Sequence, residues 1–403
     1  SGNNPVNCAT GNFWHTFTDD SFPGRGMSFD LSRTYNSLAA NVDSPFGYGW
    51  SSSYTMRLSV DRDSGQVTVN QENGSANTFT PIGDGRYTAP SRVLATLAQD
   101  SAGNYTFTRL KRQFFTFDAA GNLTGEHDLN GETTTLSYDA AGELTAVTDA
   151  AGRVTNFSHN ADGTISKVTD PAGRAVSYAY DSAGDLTGVT DLGGGAWSFT
   201  YDPTHRLLAM TDPSGGTVTN VYGSTGRVTR QVDAMGRATA FAYAGNNLSS
   251  AGGTTTIINP DGDVTVEKYT LGELNELAKG VGTPQAATSS YTYDQATLCA
   301  ATSTDPDGRT TTRRCDADGN VVSVTDPLGR TSTSTYNDFD EPMSTTDPSG
   351  VTTTFSYDSN GNLTQQSRPL SGTALDQVTQ FLHSDAAHPG DVTGVVDSDG
   401  NSS

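Results

Sequence analysis

Three short stretches carry residues that could hold a cation. They are DPDGR at 305–309, DADGN at 316–320 and DSDGN at 397–401, and each opens like a calcium loop with carboxylates at alternate positions. An EF-hand loop also needs a bidentate Glu at its twelfth position. Counted from Asp316, that position is Pro327. The same letters satisfy a simpler demand: Asp opening a turn bonds the backbone two residues on, and Gly at the fourth position takes the left-handed conformation. Turn chemistry is therefore the reading, and no metal is expected.

Other candidates for chemistry dissolve in the same way. The histidines His15, His127, His159, His205, His383 and His388 form no His-Glu-x-x-His pair, and no Gly-x-Ser-x-Gly elbow exists. DLGGGAW at 191–197 is glycine-rich but lacks the Gly-Lys-Ser/Thr that cradles phosphate. Cys8, Cys299 and Cys315 make neither a zinc pair nor a disulfide framework. No catalytic residue, no cofactor-binding residue and no cofactor is assigned.

The chain of 403 residues has a formal charge of −22, 44 Gly, 16 Tyr and 16 Phe. Leu, Ile, Val and Phe together make about 17% of it, too few for a large solid core at this net charge. The acidic balance speaks against nucleic acid and against an anionic membrane surface. No run of 18 apolar residues offers a membrane-spanning helix. The opening SGNNPVNCATGNFW, without Met, is expected of a processed or excised piece.

What positions these turns is a repeat. In YDAAGELTAVTDAAGRV at 138–154 the pattern Asp-x-x-Gly occurs twice, at Asp139–Gly142 and Asp149–Gly152. The residues just before the first turns are Phe117, Tyr138, His159, Tyr180, Tyr201, Tyr222 and Tyr243, spaced by 21 throughout. The series loosens through Tyr269, Tyr293 and Cys315, then steps by 21 again to Tyr336 and Tyr357. Such a period denotes a repeat architecture. Each repeat holds two turns and two alternating strands; in RAVSYAY, Arg174, Val176, Tyr178 and Tyr180 share one face. The expected fold is all-β: a long antiparallel meander of about 28 strands from residue 106 onward, spiralling round a largely hollow space. The aromatic series is a structural ladder, with a sugar-stacking platform as the alternative use. GELNELAKG at 272–280 is the one stretch expected to make a helical turn or two.

The DPDG turn at 305–308 also fixes a register. If Pro306, Asp307 and Gly308 form a three-residue loop, Asp305 pairs with Arg309 and Cys299 faces Cys315 within disulfide range.

The repeat YDxxGxLTxVTDxxGR resembles the YD repeat of the Rhs family, shared by bacterial polymorphic toxins, insecticidal toxin-complex components and animal teneurins. The resemblance covers about residues 106–400. A second match precedes it: Asn4-Pro5-Val6-Asn7, Thr10-Gly11-Asn12, Pro23-Gly24-Arg25-Gly26, Arg33-Thr34-Tyr35-Asn36-Ser37 and Pro45-Phe46-Gly47-Tyr48-Gly49-Trp50 are similar to the N-terminal segment of bacterial Rhs proteins. The resemblance implies three regions: an N-terminal shell-end segment over 1–55, strands leading in over 56–105, and YD repeats over 106–403.

It also implies a structural, non-enzymatic shell that sequesters a C-terminal toxin. This chain ends in VVDSDGNSS and shows neither the family's DPxGL-type self-cleavage core nor a toxin. The expected partners are therefore toxin cargo and remaining shell repeats on the same polypeptide but outside this chain, with secretion-machinery or surface partners besides. The portion is expected to be incomplete, with an open edge strand near residues 391–396. A secreted or bacterial cell-surface location follows. The alternative function is a cell-surface or wall-associated adhesin or carbohydrate-binding repeat protein.

Overall fold

In a computed structural model, residues 5–370 and 376–403 are described. Asn4 of the N-terminal match lies outside them. Among the described residues there are 36 strands and a single three-residue 3-10 turn, Ser37–Ala39. Strands β1 (Val6–Asn7), β2 (Asn12–Phe22), β3 (Phe29–Asn36) and β4 (Trp50–Ser52) form a small antiparallel sheet in that order. All the rest, from β5 (Arg57–Val60) to Gly394–Val396, form one long antiparallel meander in which every strand pairs with its sequence neighbours. From Tyr105–Arg109 onward it counts 27 strands among the described residues, against the expected 28.

Asp-x-x-Gly turns join the strands. In the turn at 181–184, Asp181 Oδ1 accepts the N–H groups of Ala183 and Asp185 at 2.8 and 3.0 Å. Gly184 closes it at φ +86°, in the left-handed region. Each ladder residue except Tyr243, which pairs with Thr255 in unbroken register, then sits at a β-bulge: Ala179 pairs with Gly188 but Tyr180 with Leu186, so Thr187 is the extra residue. The turns alternate between the two long rims of the ribbon. Those that follow a ladder residue make the first-turn rim, and those between ladder residues make the second-turn rim.

The ribbon curls at its start and then winds. Arg57 bridges Asn122, and the Leu58 N–H donates to the Gly121 carbonyl at 2.9 Å, so β5 meets the turn before Leu123–His127. Its edge is thereby covered. Further on, second-turn loops meet first-turn loops 227 to 232 residues away in sequence, at Lys111–Asp340, Arg112–Phe339 and Asn130–Asn362. The ribbon is thus a spiral whose second winding stacks on the first. Among the described strands Gly394–Val396 pairs with Asp376–Leu382 and β5 with Val67–Asn70, no pairing joins the two ends, and the sheet is open.

Three expectations are corrected. Residues 272–280 form the strand Glu273–Lys279, not a helix, because the two-residue turn Leu271–Gly272 folds them straight back onto Val264–Thr270. The edge at 391–396 is partly covered, since Val395 and Ser403 exchange both backbone bonds at 3.0 Å. The ribbon is also not hollow along its whole length. The small sheet lies on the inner face of the first winding, and Phe13, Phe17, Leu31, Tyr35 and Trp50 pack there against Phe157, Tyr178, Phe199 and Met210. Apolar residues too sparse to fill two windings are concentrated in one.

Candidate functional site

A bulge frees the backbone groups of the residue that begins the strand after each first turn, and those groups must find other partners. Their carbonyls are taken by the ladder. The hydroxyl of Tyr138 donates to the carbonyl of Leu123 at 2.7 Å, Tyr180 to Ile165 at 2.8 Å, Tyr201 to Leu186 at 2.8 Å and Tyr222 to Leu207 at 3.0 Å. Tyr243 donates to Val228 at 2.8 Å, and Tyr336 and Tyr357 to Val321 and Pro342 at 3.0 Å each. In every one of these the carbonyl lies 15 residues before the tyrosine. The spacing of 21 therefore sets each of these hydroxyls over a bulge. Burial pushes the pKa of Tyr138, Tyr180, Tyr201, Tyr222 and Tyr243 up, so these hydroxyls stay protonated and donate.

Five ladder positions depart from the pattern, among them Cys315, which is bonded to Cys299. Phe117 has no hydroxyl and is fully buried. His159 faces Glu143 at 3.7 Å. Tyr269 donates to the Glu267 carboxylate at 2.6 Å, and Tyr293 reaches back 19 residues to Leu274 at 2.9 Å.

The N–H groups freed at the bulges are taken by the N-terminal segment. The Ile165 N–H donates to the Pro45 carbonyl at 2.7 Å, Leu207 to the Tyr35 hydroxyl at 2.9 Å and Val228 to the Gly11 carbonyl at 2.9 Å. His205 occupies a turn position that favours glycine, at φ +63°. It is held there by Asp185 at 2.9 Å, by stacking on Tyr48 and by the Tyr35 hydroxyl on its carbonyl. Residues of PFGYGW and RTYNS thus read successive first turns of the repeat.

At the centre of this layer Arg33, 1% exposed, forms a forked pair with Asp19, whose carboxylate also accepts the Tyr178 hydroxyl at 2.7 Å. The rings of Phe17, Trp50 and Tyr178 surround the guanidinium at 4.9 to 5.5 Å. Burial works against its charge, but Asp19 outweighs that and keeps Arg33 firmly protonated. Reading the sequence for chemistry passed over this pair. The available signal was a charge on the core face of an alternating strand, between Leu31 and Tyr35 of FDLSRTYN.

The calcium-like stretches are turns whose carboxylates are occupied. Asp305 accepts from the N–H groups of Asp307 and Arg309 at 3.0 and 2.9 Å and from Arg309 Nε at 2.8 Å. Asp316 and Asp397 do the same with Asn320 and Asn401 at the fifth position. Among the described residues no three His, Cys, Asp or Glu side chains converge as metal ligands. Cys299 and Cys315 are joined, with Cα atoms 6.2 Å apart, beside a ladder in which Thr304 pairs with Thr310.

Comparison with known proteins agrees with this geometry. The RHS Repeat model matches residues 117–154, 159–196, 180–217, 293–331, 316–346 and 336–373. A domain of unknown function, DUF6531, matches residues 3–79, the segment that reads the turns. The tRNA nuclease WapA of Bacillus subtilis strain 168 is 36% identical over 94 residues, covering 23% of this chain and 4% of that protein. The tRNA3(Ser)-specific nuclease WapA of Bacillus spizizenii matches to the same extent. The crystal structure of TcdB2-TccC3-TEV superposes with a TM-score of 0.50 at 14% identity, over 91% of this chain and 21% of that one. The chain therefore spans a small part of the proteins it matches. With both its repeats and its N-terminal segment matched, the chain belongs to the Rhs, or YD-repeat, family.

Proposed function

We propose that residues 1–403 are an open portion of the encapsulating shell of an Rhs-type polymorphic toxin. Remaining repeats and a C-terminal toxin would lie on the same polypeptide outside this chain, and this portion carries no catalysis of its own. A secreted or cell-surface protein is the corresponding location. The observation that supports the reading is the change in the inner face between windings. In the first, facing pairs are apolar and buried, as in Leu136–Val147, Val168–Val176 and Phe199–Met210. In the second, the same face carries Ser303–Thr311, Ser334–Thr345 and Thr345–Thr353. Beyond Val228 the sole buried apolar side chain among the described residues is Tyr269.

A wall so rich in hydroxyls gives an enclosed chain little apolar surface on which to build a core. The sugar-platform alternative has less support, because the ladder hydroxyls are engaged with carbonyls inside the sheet. The test is protease protection of a passenger domain tethered at the C-terminus. Attached to the complete repeat region it should resist digestion, and attached to residues 1–403 alone it should not. A passenger as digestible in the complete protein as when free would overturn the shell reading.

A further inference from the structure

The contact between windings has a repeated chemistry. Leu94 and Leu129, from second-turn loops of the first winding, press on Gly319 and Gly361 of first turns in the second. A Cβ on either glycine would stand 3.2 Å from the leucine Cδ1. Cations flank these knobs. Arg92 reaches Glu273 at 3.2 Å and Gln295 at 2.7 Å, and Lys111 reaches Asp318 at 2.9 Å and Asp340 at 3.3 Å. Arg112 donates to the Phe339 carbonyl. The seam is thus a row of apolar knobs seated on turn glycines, with cations of one rim against carboxylates of the other.

The second-turn rim continues past this seam. Its first loops meet the N-terminal segment, where Arg153 donates to the Pro23 carbonyl at 2.6 Å and Arg174 faces Asp20 at 3.8 Å. Beyond them a Cβ on Gly194, Gly215, Gly236, Gly308, Gly329 or Gly350 would meet nothing within 4 Å. This free rim repeats the seam's chemistry. Met235 is 76% exposed beside Arg237, and Leu328 is 77% exposed beside Arg330. Both arginines are held to the aspartate of their own turn, which fixes them at the rim with their side chains largely exposed.

We infer that the second-turn rim from residue 191 to residue 350 is a docking surface for another row of first-type turns, Asp-x-x-Gly followed by an acidic or amide residue, as in one more winding of such a sheet. A second copy of this chain offers no such row. Its first winding has that rim under Gly11, Gly47 and β5, and its second has it in the seam. The inference rests on the shell reading and says how successive windings recognise each other: a knob on a glycine, a cation on a carboxylate.

The experiment appends a second copy of residues 293–403, carrying Met343→Leu so that the original Met343 remains distinguishable, to the C-terminus, supplying further first-type turns. Peroxide oxidation of Met235 is then followed by mass spectrometry, with Met343 as the internal control. Met235 should oxidise several-fold more slowly in the extended protein, with Met343 unchanged. An unchanged Met235 rate in an extended protein whose strand content has risen overturns the inference. So does a dimer of the unextended chain in which Met235 is already protected. If the added repeats do not fold, the seam itself decides. Leu94→Asp with Leu129→Asp in the unextended chain should speed amide exchange several-fold in the turns at 316–319 and 358–361, and no change there overturns the inference. Neither readout uses cargo, so failure of this inference and failure of the shell reading are separate results.

Discussion

Trp50 donates its indole N–H to the hydroxyl of Tyr201 at 3.0 Å, across the gap between the small sheet and the ribbon. The same hydroxyl donates onward to the Leu186 carbonyl at 2.8 Å. One ladder tyrosine therefore fastens its own bulge and the layer above it, whereas Tyr336 and Tyr357, in the second winding, fasten only a bulge.

This difference gives the first prediction. Tyr336→Phe removes one hydrogen bond and should cost about 0.5–1.5 kcal/mol. Tyr201→Phe also leaves the Trp50 N–H buried without a partner and should cost about 2–3 kcal/mol. Urea midpoints of the two variants, compared at constant slope, check the order.

The Arg33–Asp19 pair gives the second. Both groups are almost fully buried, at 1% and 5% exposure. Removing one partner strands a charge, so Arg33→Leu should cost about 3–5 kcal/mol, while pairing it with Asp19→Leu should recover part of the loss. Thermal unfolding of the single and double variants measures this. A double variant no better than the single would mean that the pair also does positional work through Tyr178.

Two carboxyls shape the response to pH. Burial opposes the charge of Asp202, but its bonds to Arg206 and Thr204 win and bring it down to about 2. A lowered folded pKa stabilises above the unfolded value of 3.8 and is lost as pH falls toward 2. Glu126 runs the other way. Burial and the neighbouring Glu72, partly offset by Arg109, push it up to about 8. The fold prefers Glu126 protonated, so its cost begins above the unfolded value of 4.5 and grows until pH passes about 8. Stability should peak in mildly acidic solution. Glu126→Gln should raise the melting temperature near pH 8 and leave it unchanged near pH 4, and equal shifts at both would exclude this origin.

The Cys299–Cys315 bond spans 16 residues and closes one hairpin. Opening it should cost about 3 kcal/mol in the loop-entropy account. The loss should appear locally, as faster amide exchange in Ala300–Thr304 and Thr310–Cys315. Alkylation with and without reductant, read by intact mass, should show one modified cysteine before reduction and three after.

How much of this was legible in the residues depends on range. The turns could be read because Asp-x-x-Gly is a local contract among four residues, and the aromatic series because its period is strict, but the bulges beneath it could not. ELNELAK read as helical since propensity is also local, but the tight turn at Leu271–Gly272 and two neighbouring strands overrode it. The small sheet's place on the first winding was not legible. It depends on contacts such as Tyr35 with Leu207, 172 residues apart, which no periodicity reports. The seam was hidden for the same reason, since nothing local sets Leu94 and Leu129 apart from other apolar residues in loops.

His159 stands where the pattern asks for tyrosine, and that substitution carries the last prediction. The residue 15 positions before it is Leu144, and no hydroxyl reaches it from the ladder. A cavity of about 140 Å³ opens there instead, lined by Leu144, His159, Glu143, Tyr138, Tyr54 and Met56. The imidazole faces Glu143 at 3.7 Å, beyond hydrogen-bond range. His159→Tyr would extend a ring into this space, fill part of the void and place a hydroxyl over the Leu144 carbonyl, as Tyr138 and Tyr180 do over Leu123 and Ile165. A hydrogen bond gained and a cavity filled should stabilise by about 1–2 kcal/mol. His159→Phe fills the void without the bond and should gain less. If Phe equals Tyr, the gain is packing alone. If both lose stability, the contact with Glu143 is worth more than the ladder bond, and the histidine is there to make it.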